Sequence, residues 1–162
     1  MSSKLIQKIT VLFILTFGIT LTSHAQTLPE MGSLGIRANI GGQTTIEMPY
    51  MMNRNLSLAP YLGFSTVENF DTNFSFGVKP RYYTGISNAV APYFTGTLGM
   101  TNRSIDGVDT SETNFTLGAG YGAEYFFSDK FSVSADANLN ARFGDNANTF
   151  GTEARVSASI YF

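Results

Sequence analysis

Nine ionisable side chains hold most of the chemistry this sequence could perform. Arg37, Lys79, Arg81, Arg142 and Arg155 are the cations, and Glu47, Glu124, Asp136 and Glu153 are the anions. Each stands at a polar position in a run where apolar and polar residues alternate. Charges gathered on one enclosed face must pair, because an unpaired buried charge costs several kcal/mol. Pairing leaves two outcomes open: a salt-bridged plug, or a narrow polar pore lined by Arg37, Arg81, Arg142 and Arg155 beside Glu47, Glu124, Asp136 and Glu153. Catalysis has less to draw on. His24 is the only histidine and Cys is absent, so a Ser or Asp nucleophile would need Lys or a carboxylate as its base, and no spacing arranges one. The acidic stretch 106–112, DGVDTSE, lacks the spacing of a calcium loop. No residue is assigned to catalysis, to a cofactor or to a metal.

The elements that would position these charges begin after an export signal. Lys4 and Lys8 precede the apolar run 9–21, and small residues follow at Ser23 and Ala25. This is the pattern of a cleaved signal peptide; a membrane-spanning helix needs roughly 20 apolar residues. The expected organisation is a signal peptide over 1–25 and a single domain over 26–162. Cleavage removes Lys4 and Lys8 from the ten basic residues, leaving eight against twelve acidic ones and a net charge of −4. That balance gives no reason to expect nucleic acid. Without Cys, no disulfide supports the fold and no lipid anchor is attached through one.

Eight alternating runs follow, at 34–40, 44–51, 56–64, 74–83, 91–100, 114–126, 131–143 and 150–162. In the seventh, Phe131, Val133, Ala135, Ala137, Leu139, Ala141 and Phe143 oppose Ser132, Ser134, Asp136, Asn138, Asn140 and Arg142, the period of a strand. Connections after the second, fourth and sixth runs are short. Those after the third, fifth and seventh are longer and polar, with 102–112 the longest, while 41–43 reads as tight. The polar faces are rich in Gly, Ser, Thr and Asn rather than in the Lys and Glu of a wetted surface. The expected fold is therefore an all-β, eight-stranded antiparallel up-and-down barrel crossing a membrane, with apolar faces toward lipid and charges in the lumen. Pro49, Pro60, Pro80 and Pro92 predict bulges or strand ends. Tyr50, Tyr82, Phe94, Tyr125 and Phe162 form one expected interfacial belt, and Phe64, Phe74, Phe115, Phe143 and Phe150 the other. Inward Gly118, Gly120 and Gly122 leave space for water or for large neighbours such as Tyr61, Tyr83 and Tyr93.

The chain ends on Ile160 and Phe162, with Arg155 and the small Ser157 before them. This ending resembles the assembly signal of outer-membrane barrels, and residues 34–162 resemble the small eight-stranded barrels of the OmpA/OmpX type. The resemblance implies a location in the bacterial outer membrane. Its implied partners are membrane lipid, lipopolysaccharide and the barrel-assembly machinery, and it implies a monomer. The enzymes among small outer-membrane barrels resemble one another in needing a histidine, which the expected mature chain lacks. Two function classes follow: a closed structural or surface-interaction barrel, and a narrow passive channel. No long external domain or cell-wall-binding segment is expected.

Overall fold

The structure is a computed structural model that describes residues 27–40, 44–67, 71–105, 111–145 and 148–162. The expected signal peptide, the tight connection 41–43, and Glu68, Asp106 and Asp109 lie outside the described residues. The strands are β1 (Gly35–Ile40), β2 (Ile46–Glu47), β3 (Tyr50–Met51), β4 (Leu56–Val67), β5 (Asp71–Tyr83), β6 (Val90–Ile105), β7 (Ser111–Phe126), β8 (Phe131–Gly144) and β9 (Thr149–Tyr161). Antiparallel neighbours follow the order β2-β1-β9-β8-β7-β6-β5-β4-β3, and the pairing of β2 with β4 closes the circle. β2 and β3 are two parts of one stave interrupted at Met48 and Pro49, so the barrel has eight staves. Closure pairs backbone groups around the wall, which hydrocarbon demands of any spanning structure.

Burial is inverted relative to a water-soluble barrel. Along β8, Phe131, Leu139 and Phe143 are exposed while Ser132, Ser134, Asp136 and Asn138 are buried. The same holds around the wall, where Ile36, Leu62, Leu98, Tyr121, Val156 and Ile160 point outward and Arg37, Glu47, Lys79, Arg81, Glu124 and Arg155 are enclosed. The ten aromatics of the two expected belts are all exposed. Phe115 stacks on Phe143 at 6.4 Å and Phe94 tilts against Tyr121 at 5.3 Å, which are cross-strand contacts on the outer face.

Several short turns carry their own hydrogen-bond caps. Asn53 Oδ1 accepts from the backbone N–H groups of Asn55 and Leu56, both at 2.9 Å. Ser128 Oγ accepts from the N–H groups of Lys130 and Phe131. Between Ser87 and Val90, which bond to each other twice at 2.9 Å, Asn88 and Ala89 adopt φ of 50° and 64°. That is the paired left-handed geometry of a tight hairpin turn, common for Asn and unusual for Ala.

Two expectations change. The polar stretches read as long connections are partly strand: β4 runs to Val67, β5 starts at Asp71, β6 reaches Ile105 and β7 starts at Ser111. Above the lipid a hairpin no longer needs an apolar face, so alternation is lost while pairing continues. Arg103 pairs with Glu112 across β6 and β7, and the Thr66 and Thr72 hydroxyls meet at 3.1 Å. The prolines also behave differently. Pro49 interrupts its stave, but Pro60, Pro80 and Pro92 sit within continuous registers at Pro60↔Val78, Leu58↔Pro80 and Pro92↔Ala123. A strand residue directs its N–H and C=O to one neighbour, so each proline removes a donor on one side only. Met48 N donates to Pro60 O, Thr95 Oγ1 to Pro80 O and Thr84 N to Pro92 O, which marks the affected side.

The glycines give space to particular side chains. Asn140, Asn138 and Asp136 press against Gly118, Gly120 and Gly122, and Tyr61 lies across Gly77 and Gly99, where an added Cβ would overlap its ring. Gly99→Ala is expected to lower unfolding stability by about 1–3 kcal/mol. Adding Tyr61→Ala should recover part of that loss, read as urea midpoints of the barrel refolded in vesicles. Strict additivity of the two changes would contradict the contact.

Candidate functional site: the charged bore

β1, β2, β5, β7, β8 and β9 each direct at least one ionisable residue inward, and eight of them lie in sequence by distance. Lys79 Nζ is 2.6 Å from Glu47 Oε1, and Arg37 Nη1 is 3.3 Å from Glu47 Oε2. Arg37 Nη2 is 3.5 Å from Glu124 Oε2, which Arg81 Nη1 approaches at 3.1 Å. Arg81 Nη2 reaches Asp136 Oδ2 at 3.4 Å, and Arg155 Nε is 3.2 Å from Asp136 Oδ1 and 4.0 Å from Glu153 Oε1. The order Lys79, Glu47, Arg37, Glu124, Arg81, Asp136, Arg155, Glu153 alternates in sign at every step. Arg142 is exposed at the mouth away from the short turns and is not drawn into this sequence.

Neutral donors occupy the remaining lone pairs. Ser132 Oγ donates to Glu124 Oε1 at 2.5 Å, Tyr161 OH to Glu124 Oε1 at 3.0 Å and Tyr83 OH to Glu124 Oε2 at 2.7 Å. With Arg37 and Arg81 also on it, Glu124 has its four or so acceptor sites filled. A carboxylate so saturated is a structural counter-charge and a poor base. Arg37 further donates to Ser159 Oγ at 2.9 Å and to Tyr161 OH at 3.0 Å. Asn39 Nδ2 supports Glu47 at 2.8 Å, Tyr93 OH donates to Asp136 at 2.9 Å, and Asn138 Nδ2 donates to the same carboxylate. The Arg81 guanidinium lies 4.2 Å from the centre of the Tyr93 ring, and Lys79 Nζ 4.6 Å from that of Tyr61, adding attraction of cation to ring face.

Beneath the charges, at the short-turn end, lies an apolar floor. Met51, Tyr83, Tyr93, Phe126 and Tyr161 are 0–2 % exposed and pack together, with Leu28 and Ile86 against them from outside the strands. The rings of Tyr83 and Tyr93 meet edge to face at 5.7 Å. In the sequence Tyr83 and Tyr93 stand only as large neighbours for glycines; the floor they form with Met51, Phe126 and Tyr161 is a feature of the folded barrel. The signal was available as tyrosines on inward positions at the ends of three strands. At the opposite mouth is a polar recess of about 40 Å³ lined by residues that include Lys79, Arg142, Glu153 and Arg155. That is room for one or two waters. Thr97 Oγ1 and Asn140 Oδ1, both buried beside it, have no hydrogen-bond partner among the described residues.

A closed wall with apolar residues outside and charges within is the architecture of outer-membrane barrels. Residues 15–162 match the family model described as the outer membrane protein beta-barrel domain. The chain belongs to that family. It is a small outer-membrane β-barrel protein, and its location is the outer membrane. Among solved structures it is similar to the N-terminal β-barrel domain of Pseudomonas aeruginosa OprF, with 16% identity, a TM-score of 0.65 and coverage of 82% of this chain and 98% of that one. It is also similar to Neisserial surface protein A, with 18% identity, a TM-score of 0.56 and coverage of 80% and 92%. These likenesses show the fold. No curated protein matches the chain.

Glu124 is the carboxylate shared by Arg37 and Arg81, so Glu124→Ala takes from each of two buried cations one of its two counter-charges, leaving Arg37 with Glu47 and Arg81 with Asp136, and empties the acceptor of three buried hydroxyls. The expected loss is about 3–5 kcal/mol of unfolding stability. Glu153→Ala, at the partly exposed end of the sequence, should lose no more than about 1 kcal/mol. Urea unfolding of both variants in vesicles checks this, and equal losses would contradict the central place of Glu124.

Proposed function

We propose that this barrel is closed to solutes and serves a structural or surface-interaction role, meeting other molecules through its external rim. The observation that carries this reading is the burial of the short-turn half of the bore. Arg37, Glu47, Met51, Tyr83, Tyr93, Glu124 and Phe126 are all within 1 % of complete burial. An eight-stranded barrel is only just wide enough for side chains to fill, and here charged pairs and aromatic rings fill it on successive levels. A saturated Glu124, together with a sequence whose only histidine is His24, supports a role without catalysis.

The proposal extends to the route by which the chain reaches the membrane. Residues 1–25 direct export and are removed before Gln26, and Ile160 and Phe162 present the ending read by the barrel-assembly machinery. The barrel then works as a monomer in contact with lipid and lipopolysaccharide. At the rim, Asp71 and Arg103 form an ion pair at 2.8 Å, and Asp145 Oδ2 accepts from the Thr113 N–H at 2.8 Å. These bonds brace the bases of the external connections that would meet a partner.

The second reading is a narrow passive channel. It draws support from the polar recess and from Ser75 Oγ, Thr97 Oγ1, Asn138 Oδ1 and Asn140 Oδ1, buried acceptors in the external half that water could satisfy. Planar-bilayer recording of the refolded chain separates the two. The closed barrel predicts no steps above baseline from a sample whose gel mobility shifts on boiling. Reproducible openings that change with Arg81→Ala or Glu124→Ala would establish the channel instead.

A further inference from the structure

The wall is not uniformly knit. β1 pairs with β2 through Arg37↔Glu47 and Ala38↔Ile46, and β2 pairs with β4 through Ile46↔Leu62 and Glu47↔Tyr61. β4 then continues to Val67, paired with β5 along its whole length but with no ladder to β2 beyond Leu62 among the described residues. Pro60 removes a donor on this same side of β4, and Pro49 interrupts the facing stave.

A recess of about 710 Å³ lies at this seam, in the external half of the wall. Its lining is almost wholly apolar and includes Ile46, Met48, Leu62, Phe64, Phe74 and Phe76. All six point away from the bore and are at least 41 % exposed. The floor of the recess is the wall itself, where Gly63, Gly77, Thr45 and Tyr61 complete the lining and Ser75, Thr45 and Tyr61 fill the inward space that the two glycines leave. Phe74 and Phe76, with ring centres 5.9 Å apart, form one rim.

We infer that this seam is a binding groove for one acyl chain of an outer-leaflet lipid. The recess is continuous with the surface that meets hydrocarbon. An unfilled hollow of this size would forfeit dispersion contacts along its lining, and water gains too few polar partners there to stay. Lipid tails are as apolar as the wall, so selectivity comes from shape. A chain in a groove is touched on several sides, whereas one on the smooth wall is touched on one. The length also fits. From Pro60 to Phe64, β4 rises about 13 Å at roughly 3.3 Å per residue, close to one leaflet, or about half of a 30 Å hydrocarbon core.

The test uses the full barrel refolded in dimyristoylphosphatidylcholine vesicles, extracted into detergent and weighed intact by native mass spectrometry. The wild type is expected to carry one lipid per barrel. Phe64→Ala with Phe76→Ala, which lowers the rim, and Leu62→Trp, which fills the groove, should each reduce retention about tenfold, a difference of 1.4 kcal/mol in affinity. Phe115→Ala with Phe143→Ala removes two outward aromatics from the opposite wall and should keep wild-type retention. A boiling-dependent gel shift verifies folding in every sample. Equal retention in all four proteins would reduce the seam to ordinary boundary lipid and overturn the inference. So would a wild type free of lipid, or a dimer lost only in the seam variants, which would make a second barrel the occupant.

Discussion

A charge inside a bore no wider than the side chains around it cannot keep its water, so it must find a counter-charge. Much of this barrel's interior answers to that constraint. Eight ionisable groups from six strands alternate in sign from Lys79 to Glu153, so that each interior member lies between two of opposite charge. Arg37–Glu47 and Arg155–Asp136 lie across neighbouring strands, but Lys79–Glu47, Arg37–Glu124, Arg81–Glu124 and Arg81–Asp136 join strands that are not consecutive, so these four pairs form only across the assembled bore. Arg37 of β1 and Arg81 of β5 share Glu124 of β7, which ties together three parts of the wall. The pairing also fixes register, since a slip of one residue in any of these strands would turn that strand's charges toward lipid and leave their partners unpaired.

The tyrosines make this arrangement affordable in hydrogen-bond terms. Tyr83, Tyr93 and Tyr161 put hydroxyls on Glu124 and Asp136 while their rings form the floor beneath. One residue type thereby satisfies carboxylates above and excludes water below. The external half is built differently, with short polar side chains, glycines, the single ring of Tyr61 and a small recess in place of a packed cluster of rings. The bore is thus asymmetric, filled at the short-turn end and looser toward the external rim.

The alternation of period two made the closed barrel and the inward position of the charges legible in the sequence, because one face had to meet lipid. It did not reveal which charges meet. Arg142 follows the same alternation as Arg155 but lies at the mouth, and depth along the bore depends on strand stagger, which periodicity does not encode. The strands continuing above the lipid were missed for a related reason: around Arg103 and Glu112 both faces meet water, so pairing leaves no hydrophobic signature. The prolines misled because Pro60, Pro80 and Pro92 each lose a donor toward one neighbour and keep the ladder on the other side. The seam at β2 and β4 arises from that same one-sidedness, combined with the break at Pro49.

The most direct test of a bore filled at its short-turn end is reagent access from each side of the membrane. The sequence has no native Cys to interfere. Ser57, fully buried, and Thr101, at the external recess, can each be replaced by Cys with little change in volume. A membrane-impermeant maleimide is expected to label Thr101→Cys from the external side and to leave Ser57→Cys unlabelled from either side until the barrel is unfolded. Labelling of Ser57→Cys in the folded barrel at a rate near that of Thr101→Cys would contradict a filled bore.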